Sequence, residues 1–329
     1  MDEMRFAVLG PASAGKTTLL ACMAQEFARQ KPGIILPESG KTMESLLNAY
    51  RALKDEADDP RKMSFERPIA PSVSLREYAF TINGERASMP VKFCDFPGEW
   101  MNPGSSENKK VIDIVKDASV IIIAINTPYL MELDGRYKDT GCATDEISFV
   151  LETALTADKS KRERLILFVP IKCERYLESR DISRALVSTV RLAFERVLNL
   201  SSDPRYSGRL AMAMLPVQTV GSVKFWRFMR DRDERITAEV YRKDKSSDVF
   251  RPMNVDQPMR YMMSFLIEQS ARDEKRASWW RKLFHRVTFR GDLKEVAEYI
   301  RKGIKSDNDL SAGFEIFCGR DLIGFPSHS

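Results

Sequence analysis

Histidine is almost absent from the 329-residue sequence, which contains only His285 and His328. This scarcity argues against histidine-rich metal sites and against most Ser-His or Cys-His triads. The five cysteines are scattered with no close pair, so they predict neither a disulfide framework nor a zinc site and fit a reducing cytosol. The longest mainly apolar stretch, 118–125, which contains one serine, is far shorter than the ~20 residues that cross a bilayer. Because the chain also starts with acidic residues, unlike a targeting leader, we expect a cytoplasmic protein.

Positive charge is concentrated in one segment near the end of the chain. Residues 275–290 hold six basic side chains and no acidic one, and because the whole chain carries only +5, the remainder is close to neutral. We therefore expect no general affinity for nucleic acid. Aromatic residues alternate with these cations, a pattern that suits an anionic membrane surface or an acidic partner. A helix packed on the main domain, with its cationic stems reaching water, explains the pattern equally well, and we favour it.

Strand and helix patterns alternate along the chain and predict an α/β fold. One hairpin, turning at Asn83-Gly84, interrupts this alternation, so we expect a mostly parallel sheet with one antiparallel edge strand and helices on both faces. A ligand should then bind outside the carboxyl ends of the strands. The predicted strands are 4–9, 73–82, 89–95, 118–126, 165–171 and 210–217, and the predicted helices are 17–30, 42–57 with Thr42 as N-cap, 144–156, 181–198 and 257–276.

The first strand leads directly into a phosphate-binding motif. Residues 10–17 match G-x-x-x-x-G-K-[ST] in full and lie between a predicted strand and a predicted helix, the context that this motif requires. Glycines let backbone N–H groups approach phosphate oxygens, the lysine adds a positive charge, and the threonine hydroxyl is a magnesium ligand. A glycine turn before a helix cap is the alternative, but the full motif favours nucleoside triphosphate binding. The residues expected at the phosphates are Gly10, Ser13, Ala14, Gly15, Lys16, Thr17 and Thr18.

A carboxylate ends the second strand of the predicted hairpin. Phosphate-loop proteins hold Mg²⁺ partly through such a group, so Thr17 and Asp95 are the predicted metal residues. Asp95 and Gly98 form a D-x-x-G pattern, in which the glycine N–H would sense the γ-phosphate. This pattern alone is common in turns, but its place behind the hairpin makes it informative.

Several motifs together resemble one class of proteins. Residues 1–17 look like the opening of a Ras-like chain, and 82–85 with 93–99 resemble the Ras-like hairpin and second switch. Residues 95–100 are similar to the Asp-Tyr-Pro-Gly-Glu-Trp stretch of bacterial YcjX-type GTPase-like proteins, and residues 215–221 resemble a late strand of that group. The chain thus resembles TRAFAC-class GTPases of the YcjX and double-GTPase types over about residues 1–270.

This resemblance implies a Ras-like P-loop NTPase fold with insertions and catalytic roles for Lys16, Asp95 and Glu99. Residues 1–274 would form the GTPase-like domain, with insertions at about 31–71 and 222–256, and residues 275–329 a basic, aromatic-containing C-terminal segment. Glu99 takes the place of the glutamine that orients the attacking water, although a solvated or helix-start carboxylate is the alternative. Its charge would repel the γ-phosphate, so we expect slow hydrolysis. Ser72 or Ser74 lies nearest to the first-switch threonine.

The base is normally read by Asn-Lys-x-Asp, and this chain has Ile-Lys-Cys-Glu at 171–174. Lys172 would cover the ring, and Glu174 keeps the two acceptors that guanine N1–H and N2–H require. Adenine presents an acceptor at N1, so guanine is favoured, with a loosely held base or adenine as the alternative. The loop containing Thr219 would close over the base through backbone groups.

The predicted function is that of a molecular switch that has GTP or GDP as its bound nucleotide and hydrolyses GTP slowly with Mg²⁺. Its protein partner or activator is unknown, and its location is cytoplasmic or peripheral at the inner membrane face through residues 275–290. An ATP-using P-loop ATPase or kinase is one alternative. A non-catalytic nucleotide-binding scaffold at a membrane surface is another.

Overall fold

The computed structural model describes residues 4–30, 35–68, 74–83, 88–272, 294–306 and 312–325. Its strands are β1 Met4–Leu9, β2 Ile35–Pro37, β3 Ser64–Pro68, β4 Arg76–Asn83, β5 Ser88–Asp95, β6 Val120–Asn126, β7 Arg164–Ile171, β8 Leu210–Met214, β9 Lys224–Arg230, β10 Ile236–Arg242 and β11 Glu315–Cys318. Its α-helices are α1 Lys16–Gln30, α2 Gly40–Asp58, α3 Asn108–Asp117, α4 Thr127–Met131, α5 Lys138–Cys142, α6 Thr144–Ala157, α7 Arg180–Ala193, α8 Glu195–Asn199, α9 Gln257–Arg272 and α10 Lys294–Gly303.

An eight-stranded sheet in the order β11-β8-β7-β6-β1-β5-β4-β2 forms the centre of the molecule. The five strands from β8 to β5 are parallel. At one edge β4 pairs antiparallel with β5 and β2 pairs antiparallel with β4, and at the other edge β11 pairs antiparallel with β8. Every residue of β6 and β7 is buried, as expected for central parallel strands covered on both faces. The predicted mostly parallel sheet is confirmed, and the unpredicted β2 and β11 lengthen its edges.

Helices cover both faces of this sheet. On one face, α1, α2, α9 and α10 contribute to a core that includes Phe27 and Phe265. On the other face, α3, α4, α6, α7 and α8 contribute to a core that includes Val115, Leu151 and Val190. Among the described helices, none combines the length and apolar character needed to cross a bilayer.

A second, three-stranded sheet in the order β3-β10-β9 was not predicted. It joins the two segments that the sequence marks as insertions, because β3 comes from the first and the β9–β10 hairpin from the second. β3 and β9 both pair antiparallel with β10. Ala57 of α2 packs with Phe65, Phe225 and Tyr241 in a small core beneath this sheet. The second sheet forms one wall of the cavity described below.

Several element boundaries differ from the prediction. The N-cap of α2 is Ser39, whose hydroxyl accepts a hydrogen bond from the Thr42 amide, so the helix begins before Thr42. The predicted helix 181–198 is interrupted at Phe194, where α7 ends and α8 begins. The predicted strand 73–82 begins only at Arg76. Ser72, Gly84 and the basic segment 275–290 lie outside the described residues.

Candidate nucleotide-binding site

The loop between β1 and α1 has the conformation that its glycines permit. Gly15 has a φ of +100°, in the region that favours glycine, and α1 begins at the next residue. A side chain at Gly15 would also place its Cβ 2.9 Å from Ile171 Cδ1. The first N–H groups of α1 have no partner within the helix, so they are available to an anion at this end.

Lys16 is turned back onto this loop. Its Nζ donates to the carbonyl oxygens of Gly10 at 2.9 Å and Pro11 at 3.1 Å. The side chain is buried, and this burial lowers the pKa of Lys16, while the carboxylates of Asp95 and Glu99 oppose the shift. The ammonium therefore carries a charge that water scarcely solvates, which favours an anionic partner.

Thr17 and Asp95 meet next to Lys16. β1 and β5 are parallel neighbours with Val8 opposite Asp95, so the carboxylate at the end of β5 reaches α1. The Thr17 hydroxyl donates to Asp95 Oδ2 at 2.9 Å. Burial raises the pKa of Asp95, against the opposing effects of the Lys16 charge, the Thr17 hydrogen bond and the Arg76 charge.

This pair suits a magnesium ion. Hydroxyl and carboxylate oxygens are hard donors, and Mg²⁺ usually combines one or two such ligands with water and substrate phosphates. Within the described ranges, no cluster of three or more His, Cys, Asp or Glu side chains could hold a metal alone. Phosphate and water would therefore have to complete the coordination.

The segment after Asp95 lies directly against the phosphate loop. A Cβ on Gly98 would be 2.5 Å from the Ala12 nitrogen and 2.6 Å from the Pro11 carbonyl carbon, so only glycine fits. Gly98 begins a short 3₁₀ helix ending at Met101. Glu99 is exposed, and its charge acts on Lys16.

The predicted base residues Lys172 and Glu174 belong to the same site. Lys172 Nζ donates to the Ser13 carbonyl at 3.2 Å and pairs with Glu239 at 2.5 Å. Glu174 Oε1 accepts hydrogen bonds from the amides of Val220 at 2.9 Å and Gly221 at 3.1 Å. Burial raises the pKa of Glu174, while these two amides oppose the shift. Because both bonds go to Oε1, Oε2 is the oxygen that could serve a base.

Hydrogen bonds within the protein occupy most backbone groups of the loop after β8, which the sequence did not predict. Gln218 exchanges two backbone hydrogen bonds with Met253. The Thr219 carbonyl accepts from Cys22 Sγ at 3.5 Å, and the Val220 amide is bound to Glu174. The expected backbone contacts to a base are thereby reduced to the Thr219 amide.

A cavity of about 330 Å³ connects these groups. The predicted residues Ser13, Gly15, Lys16, Thr17, Thr18, Asp95, Lys172, Glu174 and Thr219 line it, whereas Gly10, Ala14, Gly98 and Glu99 are not among its lining residues. Residues that the sequence did not reveal as part of the site also line it, namely Leu53, Ala57, Phe65, Arg67, Ile171, Val220, Val223, Glu239 and Tyr241. The sequence does carry a signal for the β9–β10 hairpin. Apolar positions occur within 224–230 and within 236–242, on either side of a polar turn.

The sequence profile of the Double-GTPase 2 family matches residues 5–205, more than half of the chain. The chain belongs to the Double-GTPase 2 family. This confirms the predicted resemblance to double-GTPase proteins and makes the chain a GTP-binding P-loop protein. The family match ends before β8, so it does not include the β9–β10 hairpin.

Other similarities are weaker. An uncharacterized protein of Methanocaldococcus jannaschii, MJ0453, is 49% identical over 45 residues, which is 14% of this chain and 42% of that protein. The signal recognition particle receptor SRb-GTP/SRX complex of Chaetomium thermophilum has a TM-score of 0.40 and 12% identity over 67% of this chain and 93% of that chain. The GTP-bound Ski7 GTPase-like domain of S. cerevisiae has a TM-score of 0.34 and 13% identity over 66% of this chain and 43% of that chain. These scores decide neither substrate nor mechanism.

Proposed function

We propose that this protein binds GTP together with Mg²⁺, hydrolyses it slowly and acts as a switch for a protein partner. The observation that carries the proposal is the Thr17–Asp95 hydrogen bond of 2.9 Å beside the buried Lys16, at the start of α1. A hydroxyl, a carboxylate and a lysine at one helix N-terminus are the groups that phosphoryl transfer requires.

Each group has a distinct task in this proposal. The backbone amides of the phosphate loop and Lys16 bind the phosphate oxygens, for which Lys16 has to leave the carbonyls of Gly10 and Pro11. Thr17 and Asp95 would hold Mg²⁺, which when bound neutralises phosphate charge. The proposed contact of the Gly98 amide with the γ-phosphate would distinguish GTP from GDP, because Gly98 lies against the phosphate loop. That difference is what a switch needs.

Slow hydrolysis follows from the character of Glu99. This side chain is exposed and directly follows Gly98, which lies against the phosphate loop, so it is near the proposed γ-phosphate site. A carboxylate there repels the phosphate oxygens. A partner that supplies a further cation would offset the repulsion, which fits a protein activated by association. Binding of residues 275–290 to an anionic membrane remains a prediction.

We expect phosphate release to be slow, to require Mg²⁺, and to be abolished in Lys16→Ala. Glu99→Gln should raise kcat/KM about fivefold, because one charge–charge repulsion of ~1 kcal/mol at ~4 Å in water is removed. A continuous phosphate assay measures this, with the exposed Glu44→Gln of α2 as the matched control. A lower rate in Glu99→Gln would contradict the repulsion and show that the carboxylate activates water. No release above Lys16→Ala, with candidate partners present, would leave a non-catalytic nucleotide-binding scaffold.

We expect guanine nucleotides to displace a fluorescent GTP analogue at least about tenfold better than adenine nucleotides, because Glu174 Oε2 would accept from guanine donors that adenine lacks. In Glu174→Gln, the amide oxygen should take the place beside the Val220 and Gly221 amides, which turns the NH₂ group toward the base. That NH₂ group cannot donate to the amino group of guanine, but it can donate to the carbonyl that xanthine has in the same place. The variant should therefore lose affinity for GTP relative to xanthosine triphosphate. Equal displacement by GTP and ATP in the unaltered protein would contradict the guanine assignment.

A further inference from the structure

Glu239 is a buried charge in the wall of the nucleotide cavity. It lies on β10, only 2% of its surface is exposed, and it is among the residues that line the cavity. Because β10 lies outside the part of the chain that matches the family, the family does not account for this residue. Burying a carboxylate is unfavourable unless hydrogen bonds and charge compensate, so its partners are informative.

Three donors surround this carboxylate. Asn126 Nδ2 donates to Oε1 at 2.6 Å, and Lys172 Nζ donates to Oε2 at 2.5 Å. The Tyr241 hydroxyl also donates to Oε2, and burial together with the Glu239 charge raises the pKa of Tyr241 well above its ordinary value, so the phenol keeps its proton. A carboxylate oxygen has about two acceptor positions. Among the described residues Oε1 has one donor, so it can accept one more hydrogen bond.

Lys172 links Glu239 to the phosphate loop. The same ammonium that pairs with Glu239 donates to the carbonyl of Ser13 in the phosphate loop. Two residues beyond Lys172 is Glu174, the proposed base residue. Lys172 thus connects Glu239 with the phosphate loop and stands two residues from the proposed base residue, and the sugar of a nucleotide joins its phosphates to its base.

We propose that Glu239 Oε1 recognises the ribose by accepting a hydrogen bond from its 2′- or 3′-hydroxyl, which rests on the proposed binding of GTP in this cavity. A carboxylate can only accept, and the ribose hydroxyls are the donors between the base and the phosphates. The Lys172 ammonium balances the Glu239 charge, so the carboxylate does not repel the neighbouring phosphates. The second sheet thus gives the site a preference for nucleotides with both ribose hydroxyls over the analogue that lacks the bound one.

A purely structural role is the alternative. Asn126 ends β6 and Lys172 follows β7, so Glu239 also fastens the second sheet to the main sheet. An anchor of this kind would affect stability and the affinity for every nucleotide equally. It would not distinguish ligands that differ by one hydroxyl, and this difference separates the two roles.

The test is calorimetric titration of the full chain with GTP, 2′-deoxy-GTP and 3′-deoxy-GTP in the presence of Mg²⁺. We expect one of the deoxy analogues to bind about 10- to 100-fold more weakly than GTP, the range for a single hydrogen bond to a charged group. Equal affinity for all three would overturn the ribose assignment while leaving GTP binding intact. Failure to bind GTP itself would instead overturn the proposed function.

Glu239→Gln provides the second measurement. Hydrogen bonds to a neutral acceptor are about half as strong, so the ratio of GTP to deoxy-GTP affinity should fall to about its square root. Glu66→Gln is the matched control, because Glu66 lies on β3 of the same sheet, opposite Val240, and is exposed. This control should keep the ratio of the unaltered protein. A ratio that is the same in Glu239→Gln and in Glu66→Gln would overturn the proposal, whatever the thermal stability of the two variants.

Discussion

Lys16→Met should weaken GTP binding about 100-fold or more while leaving the thermal stability of the nucleotide-free protein unchanged or higher. The loss is large because a buried ammonium that pairs with phosphate is removed, and truncating such a partner costs several kcal/mol. Stability should not suffer, because burial already disfavours the charged form of Lys16, and methionine fills a similar volume without a charge. Isothermal titration with GTP and GDP and a thermal melt without nucleotide measure the two quantities.

The exposed Lys41 of α2 offers a matched control for this substitution. Lys41→Met removes the same charge from the chain but should leave nucleotide affinity unchanged within about twofold, since exposed charges contribute little. If Lys16→Met bound GTP as tightly as Lys41→Met, the assignment of the phosphate site would be wrong.

Gly98→Ala should reduce the affinity for GTP by about tenfold or more, with a smaller loss for GDP. The added Cβ would approach the backbone of Pro11 and Ala12 to within 2.6 Å and 2.5 Å, and backbone atoms cannot rotate away as a flexible side chain could. Overpacking of this kind typically costs ~1–3 kcal/mol. The switch segment should move from the phosphate loop and lose its proposed contact with the γ-phosphate. Titrations with GDP and a non-hydrolysable GTP analogue give both affinities.

Gly40→Ala is the control for Gly98→Ala. Gly40 is the first residue of α2, and a Cβ at this position would meet no atom within 4 Å. This variant should bind both nucleotides normally and be as stable as the unaltered protein or slightly more so. Equal losses for GTP and GDP in Gly98→Ala would show a general distortion of the loop and contradict a role specific to the γ-phosphate.

The phosphate end of the site could be predicted from the sequence because its geometry is local. The loop before α1 follows from a contiguous motif, and Asp95 follows from one strand adjacent to β1. Parallel pairing of β1 with β5 then brings Asp95 to Thr17 without further information. The roles of these residues remain proposals, but their proximity follows from the pattern.

The part of the cavity proposed for the sugar and the base was harder to predict because long-range pairing builds it. Phe65 and Tyr241 face each other across β3 and β10, although they lie in two separate insertions. No local sequence pattern predicts that β3 and β10 pair. Glu174 lines the cavity, but its bonds to Val220 and Gly221 depend on the exact path of a loop.

The pairing of β3 with β10 determines how much of the chain must be made before the second sheet can form. The phosphate loop precedes β3 in the chain, whereas the partner strand of β3 is complete only at Arg242. A nascent chain that ends where the family match ends, at residue 205, has the phosphate loop and Asp95 but lacks Glu239 and Tyr241. The wall that the second sheet gives the cavity is therefore complete only in a chain that extends through Arg242, and we expect full affinity for the proposed nucleotide only from that length onward.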